Sequence, residues 1–219
     1  MSATRVVTRV AVFIDYQNTY RGARQTMGWQ DEQDYTLGQV NPLRLGVLLT
    51  DRGRRKDPHR ELKLVKVFRG EPSARHDRVG QAACQRQVRF WQEQAVVTPV
   101  TRPLKYYVAN RDETGAPCGW APREKGIDVL IALHMVMGAR NDEFDVAVLM
   151  SADSDLAPAV EAVWDLGKRA EVAAWVGPYQ RGHIAIRRRP TWCHRLTESD
   201  YSRVSDRIDY TLAQRGNPP

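Results

Sequence analysis

The stretch VVTRVAVFI at 6–14 ends in a continuous β-branched and apolar run, the pattern of a strand buried on both faces of a parallel sheet. FDVAVLM at 144–150 and RAEVAAWV at 169–176 have the same character, and ELKLVKVFRG gives a strand over 61–69. A further strand falls around 95–108, with limits blurred by Thr98-Pro99 and Arg102-Pro103, since proline donates nothing to a ladder. Helical patterns lie between these runs. Asn41-Pro42 reads as an N-cap with proline at the first helical position, opening a helix to Leu49 before a basic loop at 51–60. ARHDRVGQAACQRQVRFWQEQ reads as a long helix. ANRDETGAPCGW reads as a loop, after which Pro122 opens a helix to Met137 that is apolar nearly all round. A helix over 155–167 closes at Gly167. TWCHRL adds a short strand, ESDYSRVSDRIDYTLA a last helix, and QRGNPP frays.

Strands alternating with helices demand a mainly parallel sheet covered on both faces, a three-layer α/β/α sandwich. At 219 residues the chain suits one domain over 1–208, with a core at 9–176, an extension at 177–208 and a flexible tail at 209–219. No apolar run approaches the length of a membrane span, and the first residues lack the apolar core of a secretory signal, so the cytoplasm is the expected compartment. Cys84, Cys118 and Cys193 are odd in number and widely spaced, which argues against a disulfide framework or a zinc site.

Four aspartates stand where the apolar runs end: Asp15 after the first, Asp128 in KGIDVLIAL, and Asp153 with Asp155 in SADSD. In open α/β sheets, sites form outside the carboxyl ends of the strands, so folding gathers these carboxylates. Two like charges about 4 Å apart repel by about 1 kcal/mol in water and about 4 kcal/mol at an effective dielectric near 20. A cation is therefore expected among them. The structural alternative for Asp128 is a local ion pair, since Glu124 and Lys125 would share its helix face. Ser151 and Ser154 either touch the site or cap the following helix. The net charge of +7 favours polyanions, with bases concentrated in RGRRK at 52–56 and in Arg187, Arg188 and Arg189. These two runs read either as positive flanks of a negative pocket or as solvated loops. His134, Asp142 and Asp145 are set apart, the first as a core or surface histidine and the others as turn residues at the opposite sheet edge.

Phe13-Ile14-Asp15 with Asn18, Lys125-Gly126-x-Asp128, and Ser151-x-Asp153-x-Asp155 followed by a helix and EVAAWV together resemble the NYN-domain group of PIN-like nucleases, over residues 9–176. The resemblance implies an α/β/α nuclease fold in which Asp15, Asp128, Asp153 and Asp155 bind Mg²⁺ or Mn²⁺ and serve catalysis. Asn18 would position substrate, and Lys125 would contact phosphate or steady Asp128. Oxygen ligands suit these hard ions, and a two-metal scheme would activate water and stabilise the leaving oxygen. Tyr16 and Ala152 stand where relatives commonly carry glycine. Tyr16 either stacks on an unpaired base or packs against its own helix.

No dinucleotide-binding or phosphate-loop glycine pattern occurs, and Gln17 stands where a haloacid-dehalogenase phosphatase needs a second aspartate. The leading expectation is a metal-dependent ribonuclease, endonucleolytic on RNA, with DNA as a third reading. The alternative is a noncatalytic RNA-binding or regulatory adaptor that keeps the acidic pocket. No membrane partner is expected. A homodimer is left open, with Trp29, Trp91, Trp120 and Trp192 as either interface or core residues.

Overall fold

The computed structural model describes residues 7–179, 186 and 188–212. In chain order these form β1 (Thr8–Asp15), α1 (Tyr16–Met27), α2 (Pro42–Arg54), β2 (Arg60–Glu71), α3 (Arg78–Gln92), β3 (Val97–Pro103), β4 (Lys105–Arg111), β5 (Pro117–Arg123), α4 (Ile127–Arg140), β6 (Val146–Met150), a 3-10 turn (Ser154–Leu156), α5 (Ala157–Asp165), β7 (Arg169–Trp175), β8 (Cys193–Leu196) and α6 (Glu198–Val204).

The main sheet has six strands in the order β3-β2-β1-β6-β7-β8, and every pairing in it is parallel. The chain winds outward from β1 through β2 to β3, then returns to the centre at β6 and winds the other way. β1 and β6 are therefore adjacent strands whose onward connections diverge, which opens a crevice at their carboxyl ends. The period-two side chains of β1 serve both faces. Val10, Val12 and Ile14 join the cluster that includes Ala23, Leu45, Leu49, Trp91 and Tyr201, from α1, α2, α3 and α6. Ala11 and Phe13 join Ile127, Ile131 and Met135 of α4 and Val160 and Val163 of α5 on the other side. The expected three-layer α/β/α sandwich is what forms.

Several local expectations are corrected. The run around 95–108 splits into β3 and β4, and the segment read as a loop is a hairpin in which β4 and β5 pair antiparallel as a separate two-stranded sheet. Pro122 lies in β5 opposite Tyr106 instead of opening a helix; in a two-stranded sheet both strands are edges, where proline is tolerated. α4 starts only at Ile127, after Gly126 at φ 80°, a left-handed conformation that glycine adopts without strain. α2 continues past Leu49 to Arg54, so most of RGRRK is the end of a helix. The last helix stops at Val204. Of the flexible tail expected at 209–219, the described part stays attached, since Tyr210 is buried and donates to Asp206 Oδ2 at 2.7 Å, while QRGNPP lies outside the described residues. Of the four candidate tryptophans, Trp91 is fully buried, Trp29 and Trp192 are half-buried and Trp120 is exposed. Among the described residues no helix is long and apolar enough to cross a membrane.

Candidate active site

A cavity of about 410 Å³ opens at the carboxyl ends of β1 and β6, and its lining includes Asp15, Asn18, Glu124, Asp128, Ser151 and Asp153. Each acid is delivered by a different device. Asp15 ends β1 and is also the N-cap of α1, its Oδ1 accepting from the Asn18 amide at 3.1 Å. Ser151 leaves the end of β6 and donates to Asp15 Oδ2 at 3.2 Å, while its oxygen accepts from the Asp153 amide at 3.1 Å. Asn18 closes the circuit, its Oδ1 accepting from the Ala152 amide at 2.9 Å. Ala152 fits without strain, since the described non-glycine residues with positive φ are Val96 and Asp142. Asp153 caps the 3-10 turn by accepting from the Asp155 amide at 2.9 Å. Asp128 sits in the first turn of α4, where the helix dipole favours an anion.

Glu124 is the member the sequence reading missed. It belongs to the segment that returns from the hairpin to α4, and it crosses the end of β2, where the Gly70 amide donates to its Oε1 at 2.7 Å. Gln17, with its amide nitrogen turned inward, donates to Glu124 Oε2 at 2.7 Å and accepts from Arg21 at 2.9 Å. Sequence reasoning treated Glu124 as a helical neighbour of Asp128, which assumed that α4 had already begun. The glycine at 126 was the available signal that it had not.

The electrostatics confirm that these acids feel one another. Burial pushes the Asp15 carboxyl up to about 7, with the charges of Glu124 and Asp128 adding to the rise against hydrogen bonds from Asn18 and Ser151. Glu124 and Asp128 are also raised, each chiefly by desolvation; Asp128 also feels Asp153 and Asp155. Asp155 is exposed at the rim, as is Ser154.

Other candidates lie elsewhere. Lys125 is exposed, and no ion pair joins it to Asp128 among the described residues. Tyr16 is core: its ring meets Trp91 edge-on at 4.7 Å and its hydroxyl accepts from Gln87 at 2.7 Å, so it offers no face to a base. His134 is half-buried beside Lys66 at 3.1 Å, and Asp142 and Asp145 bind Arg9 at the opposite sheet edge. The two basic runs do not flank the pocket. Arg52 pairs with Asp200 and Lys56 lies over Trp192, where α2 ends near the start of β2. Arg188 pairs with Asp165 at 2.8 Å and Arg189 lies over Trp164, both at the far end of α5. Arg187 lies outside the described residues. Arg54, Lys56, Arg188 and Arg189 thus sit toward the amino edge of the sheet, opposite the acids.

The donor set is all oxygen, which suits a hard divalent cation. Among the described residues no three His, Cys, Asp or Glu side chains are gathered closely enough to hold an ion by themselves.

The NYN domain family model matches residues 9–185, spanning the pocket and both its central strands. The chain belongs to the NYN domain family. These domains fall in the PIN-like nuclease superfamily, which generally uses divalent metals, so the chain carries a nuclease-like domain. No curated protein matches the sequence. A crystal structure of a protein of unknown function from Vibrio parahaemolyticus matches with TM-score 0.46 and 18% identity, over 79% of this chain and 84% of that one, a likeness too loose to carry an argument.

In this NYN domain, Glu124→Gln, which removes a charge felt by Asp15, is expected to weaken divalent-ion affinity about 10- to 100-fold, the range for a group just outside the metal-binding side chains. A calorimetric Mn²⁺ titration checks it, and unchanged affinity would remove Glu124 from the site.

Proposed function

We propose that the chain is a metal-dependent ribonuclease that hydrolyses RNA endonucleolytically, with Asp15, Asp128, Asp153 and Asp155 as its acidic centre and Mg²⁺ or Mn²⁺ as its cofactor. The observation that supports this most is Asp15. A carboxyl 4% exposed, raised to about 7 and facing further carboxylates, is costly for folding and useful for holding a cation. When bound, the cation would supply the charge that activates water and stabilises the leaving oxygen of a phosphodiester.

The protein's own groups have distinct tasks. Asp15, Asp128 and Asp153 present anionic oxygens from three separate elements, so their spacing is held by the fold and not by one loop. Asp155 at the rim extends the negative field toward solvent. Ser151 and Asn18 tie the β1 and β6 loops together, which keeps Asp15 and Asp153 in fixed relation. Arg21, held through Gln17, and exposed Lys125 supply positive charge for phosphate oxygens near the acids.

Labelled RNAs of varied structure, and DNA of the same sequences, incubated with purified protein and Mn²⁺ test the proposal. Cleavage of RNA that stops with EDTA and falls about a hundred- to a thousandfold in Asp153→Asn is expected, in line with losses at groups acting directly on the transition state. No cleavage of any RNA, or cleavage indifferent to EDTA, would sink it. Salt-sensitive binding without cleavage would instead favour the adaptor.

A further inference from the structure

The β4-β5 hairpin contributes no side chain to the buried core, and an isolated two-stranded sheet is marginally stable in water. One face of it is anchored. Tyr106 and Trp120 surround His76, with ring centroids 4.2 Å and 5.0 Å away, and the Ser73 amide donates to the Tyr106 hydroxyl at 3.1 Å. The other face is presented to solvent. Lys105 stands directly opposite Arg123 in the ladder, and two residues along the same face lies Tyr107, a residue 44% exposed with the Arg123 guanidinium 5.3 Å from its ring centre.

Like charges placed directly across a ladder destabilise it. Here nothing compensates: among the described residues no carboxylate pairs with Lys105, Arg123, Lys125 or Arg102. These cations lie along the segment that leads into Glu124 and Asp128 of the acidic pocket. Arg123 immediately precedes Glu124, and the Arg102 guanidinium lies against Gly126 at the start of α4. An unneutralised basic track beside a flat exposed ring, ending at carboxylates, complements a chain of phosphates with unpaired bases. Phosphates attract the cations and a base stacks on the ring.

We propose that the hairpin face of Lys105, Tyr107 and Arg123 binds single-stranded RNA, stacking one base on Tyr107 and leading the backbone into the pocket. The direction of travel rests on the nuclease reading; the binding itself rests on the hairpin. Fluorescence anisotropy with the full chain in EDTA tests it, using a labelled oligouridine, a blunt RNA duplex and single-stranded DNA. The single-stranded RNA is expected to bind tightest. Tyr107→Ala should weaken it about tenfold while Tyr107→Phe restores it. Lys105→Ala with Arg123→Ala should lower the log-log salt slope by about 1.4, two single-strand phosphate contacts. Undiminished affinity in these variants, tighter binding of duplex or DNA, or equal displacement by polyglutamate, which would mark a surface for acidic protein, would each overturn the proposal. No cleavage occurs in this measurement, so an inactive pocket would count against the ribonuclease and not against the hairpin.

Discussion

Asp15→Asn is expected to raise the melting temperature of the metal-free protein by about 3 to 10 °C at about pH 8 while abolishing RNA cleavage. The folded pKa of Asp15, about 7, lies above its ordinary value of 3.8, with burial as the main cause. The folded state therefore holds this proton more tightly than the unfolded chain. The stability it contributes is fully present below about 3.8 and is lost as pH rises through about 7. At about 1.4 kcal/mol for each tenfold, that difference has a ceiling of roughly 4 kcal/mol. Asparagine imitates the protonated acid but gives up one acceptor, a loss of about 1 kcal/mol, so a net gain of about 1 to 3 kcal/mol remains. It still caps α1, since its side-chain oxygen can accept from the Asn18 amide. The gain should vanish near pH 4, where wild-type Asp15 is itself protonated, to within about half a unit. Thermal melts in EDTA across pH check the sign. A destabilised variant at high pH would mean that Asp15 serves the fold and not a cation.

The second large effect lies at the other end of the sheet. Arg60, 2% exposed at the start of β2, donates to both Glu171 oxygens at 2.9 and 2.5 Å, and His194 on β8 meets Glu171 Oε2 at 2.9 Å. Among the described residues Arg60 Nε and His194 Nδ1 have no hydrogen-bond partner, and Glu171 is the carboxylate that compensates the guanidinium. Burial alone would raise its carboxyl, but Arg60 and His194 together bring it down to about 2. A depressed carboxylate contributes stability above its ordinary pKa of 4.5 and loses it as pH falls through about 2. Glu171→Gln leaves a buried guanidinium without its counter-charge, which costs about 3 to 5 kcal/mol, and should lower the melting temperature by roughly 6 to 20 °C. Arg60→Met with Glu171→Met should recover most of the loss, because apolar side chains of similar volume remove both charges together. Chemical denaturation of the three variants decides it, and a Glu171→Gln protein as stable as wild type would contradict this account. Gly53 belongs to the same device: a Cβ there would collide with the Arg60 guanidinium.

The layered fold was legible because its cause is local. Runs such as VAVFI and VAVLM have no polar side to turn to water, so they specify buried parallel strands, and the four aspartates fall at their ends or at the start of α4. The hairpin was hidden because Pro117, Gly119 and Pro122 mimic loop chemistry, and its strands are stabilised by the His76 ring brought from the 72–77 segment, a contact no local pattern announces. Misplacing that hairpin also misplaced the start of α4 and concealed Glu124. The basic runs misled for a similar reason. Charge along a sequence says nothing about which end of the sheet it reaches, and Arg54, Lys56 and Arg188-Arg189 reach the end away from the acids. The positive charge that lines the pocket comes from Arg21 on α1, with Arg102, Arg123 and Lys125 placed by the β3 strand, the hairpin and the segment that leads into α4.

The measurement that tests the central claim most directly is hydrolysis of bis(p-nitrophenyl) phosphate, a diester with no base or sugar to recognise, followed by absorbance with and without Mn²⁺. The pocket of Asp15, Asp128 and Asp153 predicts turnover that requires the ion and disappears in Asp153→Asn. Turnover equal in that variant, or no turnover from folded, Mn²⁺-saturated wild type, would contradict it.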